Sequence, residues 1–201
     1  MAPRSAPKMR RLPMRRRIKP MRQGDLDGLC GVYSIINAIR WLCPALSEQQ
    51  AQELFNVLID MREKRSMRRP LAFIYRGLTR AGLSRLASAA TGWAAISPGI
   101  TLEAEWLAPA DHRGDRPATV WRQLERHIGP GTVAIIGLGE QLEHWTVAVQ
   151  ASGRQLTLLD SDGMSILRRE RCLPRRAGGV HYDLQLRWVL VMRRLRIVAP
   201  A

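Results

Sequence analysis

A cysteine flanked by glycines opens an apolar, helix-like segment near the start of the chain. The residues Gly28-Leu29-Cys30-Gly31 run directly into the segment 32–42. A thiol at the N-terminus of a helix meets the positive end of the helix dipole and free backbone N–H groups, and both favour thiolate over thiol. Cys30 is therefore a candidate nucleophile.

A base and an orienting acceptor follow far downstream, on two strand-like segments. His144 opens one alternating segment, and Asp160 ends the next. Neighbouring strands would bring the two side chains together, so that the imidazole takes the thiol proton while Asp160 fixes its tautomer. The Gln23 amide, with the backbone N–H of Cys30, could donate to the oxyanion. The order Gln, Cys, His, Asp is the one that a cysteine hydrolase of the papain type requires.

Each of these residues also has a purely structural interpretation. Cys30 could be a small buried side chain, His144 a strand histidine, and Asp160 the first residue of an Asp-Ser-Asp-Gly turn. Strand alternation places Asp160 on an apolar face, where a carboxylate needs a hydrogen-bond donor, whereas Asp162 immediately precedes a turn glycine. We therefore predict that Asp160, rather than Asp162, orients His144. His181 is the alternative base if His144 is structural.

The segments around Cys30 and His144 resemble those of papain-like cysteine peptidases. Residues 23–42 resemble the bacteriocin-processing type of peptidase domain, and residues 137–163 resemble Josephin-type deubiquitinases. The resemblance implies a papain-like fold with Cys30, His144 and Asp160 as the catalytic triad. It also implies an oxyanion role for Gln23, although the seven positions between Gln23 and Cys30 are slightly more than is usual in this superfamily. The residues predicted to border the substrate are Gly28, Gly31 and Trp145.

This interpretation predicts a hydrolase that cleaves a peptide or isopeptide amide bond through a Cys30 thioester. The same triad would serve a deamidase or an acyltransferase, such as a secreted effector or toxin, because only the acyl acceptor changes. The alternative from another class is a non-catalytic basic adaptor that binds polyanions. Substrates would be proteins or peptides, acidic near the cut if the arginine-rich segment 168–176 borders the cleft. Such a run is more often a solvated loop.

No metal or cofactor is expected, since His112, His127, Cys172 and His181 lack paired ligand spacing and no dinucleotide or phosphate-loop motif occurs. Cys172, in the basic segment, is predicted to be a surface thiol. The three cysteines, Cys30, Cys43 and Cys172, show no disulfide-like spacing, which agrees with a reducing compartment.

The net charge of +15 is concentrated near the N-terminus. Residues 1–24 hold nine Lys/Arg and no acid, which leaves only +6 on the rest of the chain. We predict that residues 1–22 are a disordered basic leader, through which alone nucleic acid could bind, and that residues 23–201 form one domain. The sequence contains neither the apolar core of a secretory signal nor a membrane-spanning run, so the expected location is the cytoplasm, although export without a signal stays open. The oligomeric state is not predicted.

The hydrophobic periodicity predicts an α+β fold, with helices first and antiparallel strands second. After the Cys30 helix, which Pro44 should end, a capping box at Ser47 and Gln50 predicts a helix over 48–63. Further helices are expected over 71–90, with a break near Gly82, and over 119–128. Strands are expected over 93–96, 101–107, 132–138, 144–150, 155–160, 164–167 and 183–192.

Overall fold

The computed structural model describes residues 19–22, 28–63, 77–112, 115–140, 144–172 and 182–195. The helices among them are α1 (Cys30–Leu42), α2 (Glu48–Glu63), α3 (Arg80–Ile96) and α4 (Pro117–His127). The strands are β1 (Leu102–Trp106), β2 (Thr132–Glu140), β3 (His144–Ala151), β4 (Gln155–Leu159), β5 (Ile166–Arg168), β6 (Tyr182–Asp183) and β7 (Val189–Arg194). No helix within these ranges has the length and apolar character needed to cross a membrane.

The strands form one antiparallel sheet in the order β1-β7-β2-β3-β4-β5, and the short β6 pairs with the end of β2. Apolar residues cover both faces of the central strands because helices pack on both sides. On β2, Val133 and Ile135 belong to the core shared with α1, α2 and α3, whereas Ala134 and Ile136 belong to the core shared with α4. The Cys30 helix therefore lies directly against the strands that carry His144 and Asp160.

The predicted α+β fold, with an N-terminal helical part and a C-terminal antiparallel sheet, is confirmed. The helix over 48–63 is found with the predicted bounds. Its capping box is present: the Ser47 N–H donates to Gln50 Oε1 at 3.0 Å, and the Gln50 N–H donates to Ser47 Oγ at 3.1 Å. The helix thus begins where its first free N–H groups find side-chain acceptors.

The structure departs from the predicted elements in three places. The helix expected to break near Gly82 instead begins just before it, because the Thr79 side chain accepts from the Gly82 N–H and caps α3. The same helix then continues through Ile96, so the predicted strand over 93–96 is helical, and residues 71–76 lie outside the described part. The single strand expected over 183–192 is divided by a 3₁₀ helix, Leu186–Trp188, into β6 and β7.

The last residues of the segment predicted to be a disordered leader pack on α1. The Met21 N–H donates to Asn37 Oδ1 at 2.8 Å, and Asn37 Nδ2 donates back to the Met21 carbonyl at 3.2 Å. Arg40 also donates to the Lys19 carbonyl. A buried side-chain amide thus holds this stretch of backbone as a neighbouring strand would. Residues 1–18 lie outside the described part.

Candidate active site

Cys30 is the first residue of α1 and is 5% exposed. The residue before it, Leu29, provides no side-chain cap, so the first turn keeps N–H groups that no side-chain cap satisfies. Gly31 follows because the helix approaches another segment closely here: a Cβ at this position would lie 2.7 Å from Leu78 Cδ1. The glycine after the cysteine therefore allows residues 77–79 to pack beside the nucleophile.

The side chains of His144 and Asp160 meet at one end of the β3–β4 hairpin. His144 Nε2 lies 2.6 Å from Asp160 Oδ2, with the two side chains 8% and 1% exposed. The other carboxylate oxygen accepts from the backbone N–H groups of Asp162 and Met164 at 2.9 and 3.0 Å. Asp160 therefore opens the turn and binds the histidine at the same time, so its two sequence interpretations are compatible.

The Cys30 side chain interacts with the same imidazole. Burial by itself would lower the pKa of His144, but hydrogen bonds to Asp160 and Cys30, together with their negative charge, raise it to about 10. Since Nε2 is engaged by Asp160, the ring nitrogen left for Cys30 is Nδ1. The three side chains thus form one chain of contacts, with the imidazole in the middle.

The pKa of Asp160 shifts in the opposite direction to that of His144. Burial would raise the pKa of Asp160, but the hydrogen bond and charge of His144, aided by the Met164 N–H, hold it below its usual value. A raised pKa of His144 together with a lowered pKa of Asp160 is the pattern of a buried imidazolium–carboxylate pair. The raised pKa of the ring favours its protonated form.

A hydrogen bond between α1 and β3 connects the elements that carry Cys30 and His144. Ser34 lies one helical turn after Cys30, and its Oγ donates to the Trp145 carbonyl at 2.9 Å. Trp145 is the residue next to His144, and both partners of this bond are buried. Ser34 thereby fixes the Cys30 helix to the strand that carries His144.

Three neighbouring tryptophans support the His144 strand. The Trp145 ring packs edge-on against Trp106 and Trp188, with centroids 6.1 and 5.9 Å away. Its Nε1 donates to the Leu78 carbonyl at 2.8 Å. The tryptophan next to the base is thus fixed on several sides.

The other predicted site residues are placed as follows. Gly28 lies beside Gly77, whose Cβ position is 3.6 Å from the Gly28 carbonyl oxygen, and Gly31 and Trp145 both contact Leu78. Gln23 and His181 lie outside the described residues. His112 pairs with Asp115, 2.7 Å away.

Cys172 is not the surface thiol that the sequence predicted. It is 3% exposed, and burial raises its pKa to about 12. A buried, protonated thiol is a poor nucleophile.

The described part of the arginine-rich segment lies away from His144. Arg168 pairs with Gln155, at the opposite end of β4 from Asp160. Residues 168–170 instead line a surface groove with residues 153–155. Residues 173–176 lie outside the described part.

The sequence did not reveal the roles of Ser34, which connects α1 to β3, and of Asn37, which holds Met21 against α1. Both are buried polar side chains in an otherwise apolar helix, at positions i+4 and i+7 from Cys30. Since these positions share a helix face with the nucleophile, the polar stripe was a usable signal.

No family model and no curated protein matches the chain. Among solved structures, the chain is similar to the Pseudomonas avirulence protein AvrPphB, with a TM-score of 0.36 and 10% sequence identity. The similarity covers 84% of this chain and 92% of that one. The function proposed below rests on the geometry of Cys30, His144 and Asp160.

Proposed function

We propose that the chain is a papain-like cysteine hydrolase that cleaves a peptide or isopeptide amide bond through a Cys30 thioester. The observation that carries the proposal is the buried His144–Asp160 contact of 2.6 Å, with Cys30 on the remaining ring nitrogen. A lone structural histidine needs one partner, whereas this ring has an acceptor on one side and a thiol at a helix start on the other.

In the proposed mechanism, Cys30 reacts as the thiolate beside a protonated His144. A protonated His144 favours the anionic form of Cys30, as does the helix N-terminus. The thiolate attacks the carbonyl carbon, forming the S–C bond, and the imidazolium gives its Nδ1 proton to the leaving amine as the C–N bond breaks. Neutral imidazole then accepts a proton from water, whose oxygen attacks the thioester and releases the acid and the thiolate. Asp160 holds the ring through both steps.

Cleavage is tested by incubating a complex peptide mixture with the wild-type protein and with Cys30→Ala. Mass spectrometry distinguishes the possible acyl acceptors: new peptide termini indicate hydrolysis, carboxamides converted to carboxylates indicate deamidation, and new amide links indicate acyl transfer. We expect new termini with the wild type and none with Cys30→Ala. Conversion of carboxamides without new termini would assign the same triad to a deamidase, and an unchanged mixture would contradict the hydrolase.

A further inference from the structure

A pocket of about 430 Å³ opens beside the candidate base. His144 and Trp145 lie in its wall, and the remainder is formed by residues 77–79, the ends of β2 and β6, and residues 187 and 188 of the 3₁₀ helix. The pocket also adjoins the nucleophile, because Leu78 on its rim packs against Gly31 and Gly77 packs against the Gly28 carbonyl. A substrate whose scissile bond meets Cys30 would therefore place a neighbouring side chain in this pocket.

The wall of the pocket is apolar and fixed. Trp145 and Trp188 meet edge-on, and Gly137 leaves room for them: a Cβ there would lie 3.1 Å from the Trp145 ring and 3.2 Å from Trp188 Cβ. The hydrogen bond from Trp145 Nε1 to the Leu78 carbonyl prevents the ring from turning. This surface suits the methylene groups of a substrate side chain.

Two charged residues line the same pocket, and they differ in how many of their polar atoms have hydrogen-bond partners. Asp183 accepts a hydrogen bond at Oδ2 from Gln185 Nε2. Arg187 packs its guanidinium against the Trp188 ring at 5.3 Å, and its buried Nε has no hydrogen-bond partner within the part of the chain that the structure describes. Among the described residues, no carboxylate lies within ion-pair distance of Arg187.

Arg187 is also held in place before any ligand arrives. It belongs to the 3₁₀ helix whose first residue, Leu186, donates its N–H to Asp115 Oδ2 at 2.8 Å. A buried N–H donor without an acceptor is costly, and a carboxylate that reaches it forms a charge-assisted hydrogen bond. A pre-positioned guanidinium binds such a group with little further ordering.

We propose that Arg187 is a specificity-determining residue that binds the carboxylate of a glutamate side chain near the scissile bond. This inference rests on the proposed function. The glutamate methylenes lie on the Trp145–Trp188 wall, and the carboxylate accepts from Arg187. Asp183 opposes a second carboxylate in the pocket, but one of its oxygens is already occupied by Gln185, whereas the Arg187 Nε is free of any partner among the described residues. The substrate class is therefore acidic at this position, through Arg187 and not through Arg168 or Arg169, which line the surface groove.

The test uses dipeptidyl acyloxymethyl ketones on the full chain, with each peptide position varied in turn among Glu, Gln, Leu and Lys. The Cys30 thiolate forms a thioether with the methylene carbon as the C–O bond breaks and the acyloxy carboxylate leaves. Intact mass spectrometry gives the rate of labelling. At one of the two positions we expect Glu to react about ten-fold or more faster than Lys, with Gln between them.

A set of variants distinguishes the effect of Arg187 from the effect of other charged residues on the preference for Glu. Arg187→Met should abolish the preference for Glu and favour Leu, and Arg187→Gln is a second variant that keeps a polar side chain. Asp183→Asn should increase the preference for Glu. Arg154→Met removes an arginine that lines the surface groove instead and should change nothing.

The possible failures have different signatures. Labelling of Cys30 at equal rates by all side chains, a preference for Lys, or a preference for Glu that survives in folded Arg187→Met and Arg187→Gln proteins would overturn the role of Arg187 while leaving the nucleophile in place. Absence of Cys30 labelling by any probe would overturn the proposed hydrolase and this inference with it.

Discussion

Replacing Asp160 with asparagine removes one charge from the site while keeping the size of the side chain. In the folded protein one carboxylate oxygen binds His144 and the other accepts from the N–H groups of Asp162 and Met164. An amide has only one acceptor oxygen, so it can satisfy the imidazole or the turn, but not both. Asp160→Asn should therefore weaken the hydrogen bond to His144 while a side chain of the same size still fills the position. Asp160→Ala should remove the hydrogen bond altogether.

The magnitude follows from the charge state of the ring. The pKa of His144 lies near 10, against an ordinary value of 6.5. This net rise corresponds to roughly 5 kcal/mol in favour of the imidazolium, which remains after Asp160 and Cys30 together have offset the opposing effect of burial. If Asp160 supplies about half of this net effect, its loss changes the acid dissociation constant of the imidazolium, and with it the stability of a thiolate–imidazolium pair, roughly 30- to 150-fold. We expect Asp160→Asn to slow alkylation and turnover about 100-fold, and Asp160→Ala to slow them about 1,000-fold, because ring orientation is lost as well.

The assay is the rate of Cys30 alkylation between pH 5 and pH 10, followed by mass spectrometry and supported by circular dichroism to establish that each variant is folded. Asp162→Ala is the matched control, because it lies in the same turn and contributes only its backbone N–H to Asp160. It should stay within a few-fold of the wild type. Equal, mild effects of the two alanine variants would refute the assignment and indicate a Cys–His dyad.

Three further predictions follow from the same contacts. Ser34→Ala should slow Cys30 alkylation about ten-fold and cost about 1–2 kcal/mol of stability, since a buried acceptor on β3 loses its donor; an unchanged alkylation rate in a less stable protein would make Ser34 merely structural. Because the pKa of His144 is raised by folding, its contribution to stability should be complete below about pH 6.5 and lost as pH rises towards 10; the melting temperature relative to His144→Ala measures this, and a gain with rising pH would contradict it. Deleting residues 1–18 should leave the melting temperature nearly unchanged while weakening salt-sensitive polyanion binding, whereas deletion through residue 22 should lower it by removing the Met21 contacts; equal melting temperatures would contradict a stabilising role for Met21.

The sequence was most informative where one local signal decided the structure. The capping box at Ser47 set the start of α2, and strand alternation placed Asp160 on a buried face. It was less informative where two signals competed: Trp93–Ile96 has strand-like composition, but the cap at Thr79 starts a helix whose buried face continues through Ala94. Arg187 lines the pocket because a 3₁₀ helix separates the last two strands. Hydrophobic periodicity does not predict such an interruption.

The positioning contacts could be predicted only in part. Ser34 and Asn37 are visible as polar residues on the Cys30 face of an apolar helix, but their partners lie 111 and 16 positions away. These long-range hydrogen bonds depend on how α1 packs on the sheet. The local pattern of the sequence does not specify that packing.

Alkylation of the three cysteines by iodoacetamide at mildly acidic pH tests the Cys30–His144–Asp160 assignment most directly. Cys30, Cys43 and Cys172 are 5%, 5% and 3% exposed, so the three residues differ little in overall exposure. An ordinary thiol reacts slowly at that pH because little of it is thiolate. Our account predicts rapid labelling confined to Cys30 and lost in His144→Ala; labelling that follows Cys43 or Cys172, or Cys30 labelling unaffected by the loss of His144, would contradict it.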